Sequence, residues 1–158
     1  MPEGAGNRAG FGLWISVLNR AASIYFSKAL KPYGLGPSQQ AYLLAIGPGE
    51  RIRQDELARR LMVDKANAAR AVGRLLELGY LERECCPADR REKLINLTPS
   101  GRSVRDRAEE ISSTWIEELE SAVPPREWTA LCRGIGKMAR KGMDFAEAYD
   151  PDFDSIIE

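Results

Sequence analysis

Lys65, Asn67, Arg70 and Arg74 recur along one short helical pattern, and each of these side chains ends in hydrogen-bond donors. Arg can reach the O6 and N7 acceptors of guanine in a bidentate way, and Asn can pair similarly with adenine, each discriminating by roughly 1 to 3 kcal/mol. With Ala68 between them, they are the candidate contacts of a helix lying in a major groove. A second cluster, Asp89, Arg90, Arg91 and Lys93, sets two guanidinium groups side by side, with Asp89 placed to hold Arg91. Such an arginine suits a narrow minor groove, where A·T-rich sequence enhances the negative potential. Arg53 and Arg59, together with Arg51 and Arg102, are cations at the flanks, available to phosphates. The shared chemistry is donation to the base edges and phosphate oxygens of double-stranded DNA.

Positioning these groups takes a helix, a turn, a second helix and a hairpin, all between Arg53 and Thr98. Gln54 to Leu61 reads as a helix with Leu57, Ala58 and Leu61 inward. Met62 and Val63 make the turn, and Asp64 is suited to cap the free N–H groups of the next helix. That helix runs to about Leu78 and stops at Gly79, with Ala68, Ala71, Val72 and Leu75 inward. Gly73 costs about 1 kcal/mol relative to Ala in mid-helix, which predicts close approach there by DNA backbone or a packed neighbour. Leu81 to Cys86 and Lys93 to Thr98 have strand character, and Pro87 to Glu92 between them reads as a charged hairpin tip.

Outside this unit, residues 1–10 lack a hydrophobic period and predict a loose arm. From Phe11 onward Trp14, Ile15, Leu18, Ala22, Tyr25 and Phe26 share one helix face, and Leu13, Val17 and Ile24 form a second apolar strip. A helix apolar on two sides needs cover on two sides, which points to a second subunit. Pro37 and Ser38 open a short helix stopped by Gly47-Pro48-Gly49, and Ile52 reads as a short strand. Thr98-Pro99 starts a long helix to about Val123, and Pro124-Pro125 starts the last one.

Basic and acidic residues balance at 23 each over 158 residues, yet from Asp144 onward six acids stand without a Lys or Arg. Residues 1–143 therefore hold 23 basic against 17 acidic groups, a surplus of six hidden by the acidic tail at 149–158 and the residues just before it. Three cysteines without framework spacing, and no signal-peptide pattern, lead us to expect a reducing cytoplasm. The apolar runs fall short of the ~20 residues of a membrane span. With no histidine in the chain, we expect no metal, no cofactor and no enzymatic activity, since every usual catalytic constellation lacks a member.

The ordered combination is more specific than its parts. Gln54-Asp55-Glu56-Leu57-Ala58-Arg59-Arg60-Leu61, then Val63-Asp64-Lys65 through Arg70, Arg74-Leu75, Gly79-Tyr80-Leu81-Glu82-Arg83, Asp89-Arg90-Arg91 and Leu97-Thr98-Pro99-Ser100-Gly101-Arg102 resemble the MarR family of transcription regulators. The resemblance covers roughly residues 11 to 148. It implies a mainly α (α+β) fold, with a winged helix-turn-helix lobe at 37–98 carrying a small β-hairpin wing. Helices at 11–36 and 99–148 would form a dimerisation region, giving a homodimer on a pseudopalindromic operator. It also implies repression relieved by a small aromatic or phenolic ligand, for which Asn19, Arg20, Tyr25, Tyr33 and Tyr42 are the candidate pocket residues. Ala69 stands where the family usually has Ser or Thr, and Arg53 where it has a helix cap. Two runners-up remain: a winged-helix module binding an acidic protein, and a thiol-responsive regulator using Cys85 and Cys86. Against the latter, a disulfide between sequence neighbours is strained.

Overall fold

A computed structural model describes residues 8–85 and 93–148. Its elements are α1 (Arg8–Ala29), a 3₁₀ turn (Lys31–Tyr33), α2 (Gln39–Leu44), β1 (Ile52–Arg53), α3 (Gln54–Leu61), α4 (Lys65–Glu77), β2 (Leu81–Cys85), β3 (Lys93–Leu97), α5 (Pro99–Ser121) and α6 (Pro125–Ala148). Apart from the 3₁₀ turn these are the expected elements, with α1 beginning three residues before Phe11 and ending at Ala29, and β3 stopping one residue before Thr98. Contacts divide the chain into two compact units, Met1–Trp115 and Ile116–Glu158.

In the first unit, alternation along the strands puts Leu81, Ile95, Leu97 and Ile52 on one buried face of an antiparallel sheet ordered β1-β3-β2. Ile52 lies opposite Ile95, and Leu81 opposite Leu97. Leu57 of α3 and Val72 and Leu75 of α4 join the same core, with Leu30, Leu43 and Ile46 from the preceding elements. Val104 and Ala108 add the first turns of α5. Burial at three- and four-residue steps fixes the rotation of α4, so its opposite face must be outward.

Three polar devices hold the joints. Met62 takes a left-handed conformation, φ +52°, and lets the chain leave α3 while the Val63 N–H still donates to the Ala58 carbonyl at 3.0 Å. Arg60 donates to the Ala45 carbonyl at 2.6 Å and to both carboxylate oxygens of Glu50, at 3.0 and 2.8 Å. Glu50 also accepts from the Gly47 N–H at 2.7 Å, so the loop before β1 is tied to α3. The Arg60 guanidinium, then the Gly47 N–H, hold the Glu50 carboxyl down at about 2. At the far side, Thr98 Oγ1 donates to the Gly79 carbonyl at 2.6 Å and accepts from the Gly101 N–H at 2.9 Å. Gly101 lies so close to the Tyr80 backbone that a Cβ there would stand 1.8 Å from the Tyr80 carbonyl oxygen.

Most of α1 is uncovered. Phe11, Leu13, Trp14, Ile15, Val17, Leu18 and Ile24 are exposed, from 37% at Val17 to 54% at Leu13. Only toward its end does the helix pack down: Tyr25 stacks on Trp115 at 5.3 Å between ring centroids and donates to the Ile111 carbonyl at 3.1 Å. The second unit contains α6, on which Leu131, Ile135, Met138 and Phe145 are exposed. Among the described residues no helix is long and apolar enough to cross a membrane.

Candidate nucleic-acid interface

The anchor of α4 is its small, fully packed face. Ala68, Val72 and Leu75 are completely buried and Ala71 nearly so, leaving Lys65, Asn67, Ala69, Arg70 and Arg74 exposed. Ala68 therefore is not a DNA contact. With no accessible surface it seats the helix on the core, and the expectation that grouped it with the donors is corrected. Asp64 caps the helix as expected, its Oδ1 accepting from the Asn67 N–H at 2.7 Å. This satisfies one of the free N–H groups at the end of the helix that carries Lys65 and Asn67.

The donors differ in their partners. Arg74 pairs with Glu77 at 3.2 Å, whereas Arg70 has no ion-pair partner among the described residues. The flanking cations are engaged: Arg59 with Glu56, Arg53 with Asp55 at 3.7 Å, and Arg51 with Glu84 at 3.1 Å. Exposed pairs of this kind contribute about 0–1 kcal/mol, so a phosphate can replace the carboxylate at little cost. Arg102 instead donates to the Leu97 carbonyl at 3.0 Å, bracing the wing strand against α5. Arg83, which sequence reasoning passed over, donates to Gln54 Oε1 at 3.2 Å and links β2 to the start of α3. That pairing joins positions 29 residues apart and has no local sequence signal.

Asp89, Arg90 and Arg91 lie outside the described residues, as does Cys86. Lys93 opens β3 and Cys85 ends β2, and the two stand opposite each other in the antiparallel ladder. Among the described residues nothing lies within 4 Å of the position a Cβ on Gly73 would take, so no described neighbour accounts for this glycine.

The five candidate pocket residues are not brought together. Asn19 and Arg20 lie on the exposed length of α1, Tyr25 belongs to the aromatic contact with Trp115, and the Tyr33 carbonyl accepts from the Tyr80 hydroxyl at 2.9 Å. Of the five, Tyr42 lines a cavity of about 360 Å³ between α2 and α4. Ser38 just before α2 and Ala41 on it flank the cavity, Leu61 and Val63 close one side, and Asn67, Arg70 and Ala71 form the α4 wall. Tyr42 is only 4% exposed, and its hydroxyl has no hydrogen-bond partner among the described residues. Burial is the first cause raising its pKa, with Asp64 adding to the rise and Arg70 opposing it.

This geometry has known counterparts. Residues 33–92 match the model of the MarR family. The crystal structure of a MarR transcriptional regulator from Methanosarcina mazei Go1 is 31% identical, covering 87% of this chain and 99% of that one, with a TM-score of 0.74. The chain belongs to the MarR family. It is accordingly a DNA-binding transcription regulator of the winged helix-turn-helix type. Among MarR relatives, the HTH-type transcriptional regulator BilQ of Clostridioides difficile (strain CD3) is 27% identical over 75% of this chain and 80% of its own. A MarR protein from Peptoclostridium difficile shares the fold at a TM-score of 0.79, with 21% identity over 91% of this chain and 94% of that one. Within this MarR framework α3 and α4 form the helix-turn-helix pair and β2–β3 the hairpin of the winged fold.

Proposed function

We propose that the protein is a homodimeric repressor that binds a pseudopalindromic operator. Its two recognition helices would then stand about 34 to 36 Å apart, in successive major grooves. The observation that carries this reading is the exposed donor face of α4, whose opposite face is sealed into the core. Asn67 and Arg70 read base edges, and Lys65 and Arg74 hold the phosphates beside them. Arg90 and Arg91, steadied by Asp89, reach the adjacent minor groove, while Lys93, Arg53 and Arg59 hold flanking phosphates. Residues 11–36 and 99–148 form the dimerisation region, and 37–98 the DNA-binding lobe. The uncovered apolar length of α1 supports a second copy of the chain as its cover. A small aromatic or phenolic effector releases the operator.

Capture of sheared genomic DNA by the purified protein, followed by sequencing, should return a discrete inverted repeat. Recovery of no preferred site would defeat the reading. On the recovered site, Arg70→Ala and Arg91→Ala should each cost about 1–3 kcal/mol of binding, with the oligomeric state unchanged. Wild-type affinity of Arg91→Ala at fixed salt would remove the wing from the interface. Transcription from a promoter carrying the site should rise on deletion of the gene and on addition of the effector.

A further inference from the structure

We propose that Arg105 of α5 is a positioning residue for DNA binding: together with Arg60 it pins the end of α2 from two sides, and so fixes the tilt at which α3 and α4 stand against α5. The inference rests on the reading of α4 as the DNA face given above. The carbonyls of Ala45 and Ile46 lie just beyond the last turn of α2, where the helix has no N–H groups left to serve them. Each is taken by a guanidinium from a different helix. Arg60, in the last turn of α3, donates to Ala45 at 2.6 Å, and Arg105 donates through Nε to Ile46 at 3.2 Å. Arg105 stands next to Val104 and one turn from Ala108, on the edge of the buried face of α5, and its side chain is only 15% exposed. Charged side chains go that far inward only when they are paired. Here Glu109 at 3.1 Å and Asp106 at 3.5 Å hold Nη1, which leaves Nε aimed at the end of α2.

Apolar packing around this point cannot set the tilt alone. Hydrophobic burial is non-directional, whereas a hydrogen bond demands both a separation near about 3 Å and alignment of donor with acceptor. Two such bonds on adjacent carbonyls leave the end of α2 one register between α3 and α5. The Arg60 guanidinium extends the hold, since it also takes both carboxylate oxygens of Glu50, which in turn accepts from the Gly47 N–H. The segment from Ala45 to Glu50 is thereby tied to α3 on one side and, through Ile46, to α5 on the other. Residues 62–64 are all that separates α3 from α4, so Asn67 and Arg70 take their direction from α3. Groups that read a partner must be held within about 0.5 Å of the productive geometry by such supporting bonds. Arg105 supplies one of them without touching DNA itself.

The test compares three variants of the intact protein. Arg105→Met keeps the apolar stem and removes the donors, and Arg105→Lys keeps the charge but not the fork that serves Ile46 and Glu109 together. Arg107→Met is the control, because Arg107 is exposed and its ion pair, at 2.7 Å, is to Glu110 of the same helix. Residual dipolar couplings measured without DNA should show a changed orientation of α3 and α4 against residues 99–115 in Arg105→Met, a smaller change in Arg105→Lys, and none in Arg107→Met. At a temperature where all are folded, affinity for the duplex that wild type selects should fall about three- to thirtyfold in Arg105→Met and less in Arg105→Lys. Arg107→Met should stay within about twofold of wild type. If Arg105→Met does not fold, Arg105→Lys carries both readouts. Unchanged couplings, or a lower thermal midpoint with wild-type affinity, would overturn the proposal. Should wild type select no duplex at all, the operator reading falls, while the couplings and the affinity for unsorted genomic fragments still decide the role of Arg105.

Discussion

Gly101 and Met62 are two backbone positions where the identity of one residue decides whether the lobe can close. At Gly101 the obstacle is a carbonyl oxygen of Tyr80, 1.8 Å from where a Cβ would sit, and main chain cannot swing aside as a side chain would. Gly101→Ala should therefore destabilise by about 3 kcal/mol or more, the upper end for overpacking, read as a lower urea midpoint. Met62 is the opposite case. Its left-handed φ of +52° costs a residue with a Cβ about 1–2 kcal/mol, against the roughly 0.5–1 kcal/mol of extra chain entropy that glycine brings. Met62→Gly should thus raise stability by up to about 1 kcal/mol, and a fall in the urea midpoint would show that the exposed Met62 side chain contributes packing. Neither requirement is visible locally: Met carries no turn signal, and the need for glycine at 101 arises from a segment 21 residues earlier. Asp64 is the contrast, since a carboxylate just before an apolar-periodic run announces a cap by position alone, and the cap is there.

The joint between the α2–β1 loop and α3 rests on Glu50 and Arg60. Because the folded state holds the Glu50 carboxyl at about 2, below its ordinary 4.5, this joint contributes stability fully above pH 4.5 and loses it as the pH falls toward 2. Thermal unfolding of wild type and Glu50→Gln should show a constant gap at neutral pH that closes between pH 4.5 and 2. A gap that persists at pH 2 would mean the glutamine disturbs packing and not the charge pair. At the level of elements the sequence is readable along 54–79 because the hydrophobic period, the Asp64 cap and the stop at Gly79 agree. Ala68 is where two readings of the sequence conflict: the hydrophobic period sets it inward with Ala71, Val72 and Leu75, its place between two donors groups it with their face, and its full burial decides for the period. The α2–α4 cavity lay further out of reach, since it depends on how Tyr42 and Arg70 meet across two helices.

For the molecule as a whole, the surplus of six basic groups in residues 1–143 predicts that operator affinity falls steeply with salt, as neutralised phosphates release their counterions. Trp14→Glu should separate the proposed dimer. Analytical ultracentrifugation would show a monomer, and operator binding would drop because half-sites are then engaged one at a time. A Trp14→Glu variant that stays dimeric would shift the interface away from the exposed length of α1. That uncovered face also bears on dosage. If two copies must meet on it before the DNA can be gripped, operator occupancy at low abundance follows the square of the chain's concentration, and the thermal midpoint climbs as the protein becomes more abundant. Halving the number of chains in a cell would then cut repression about fourfold, so the apolar strip on α1 makes the regulated promoter a gauge of how much regulator has been made.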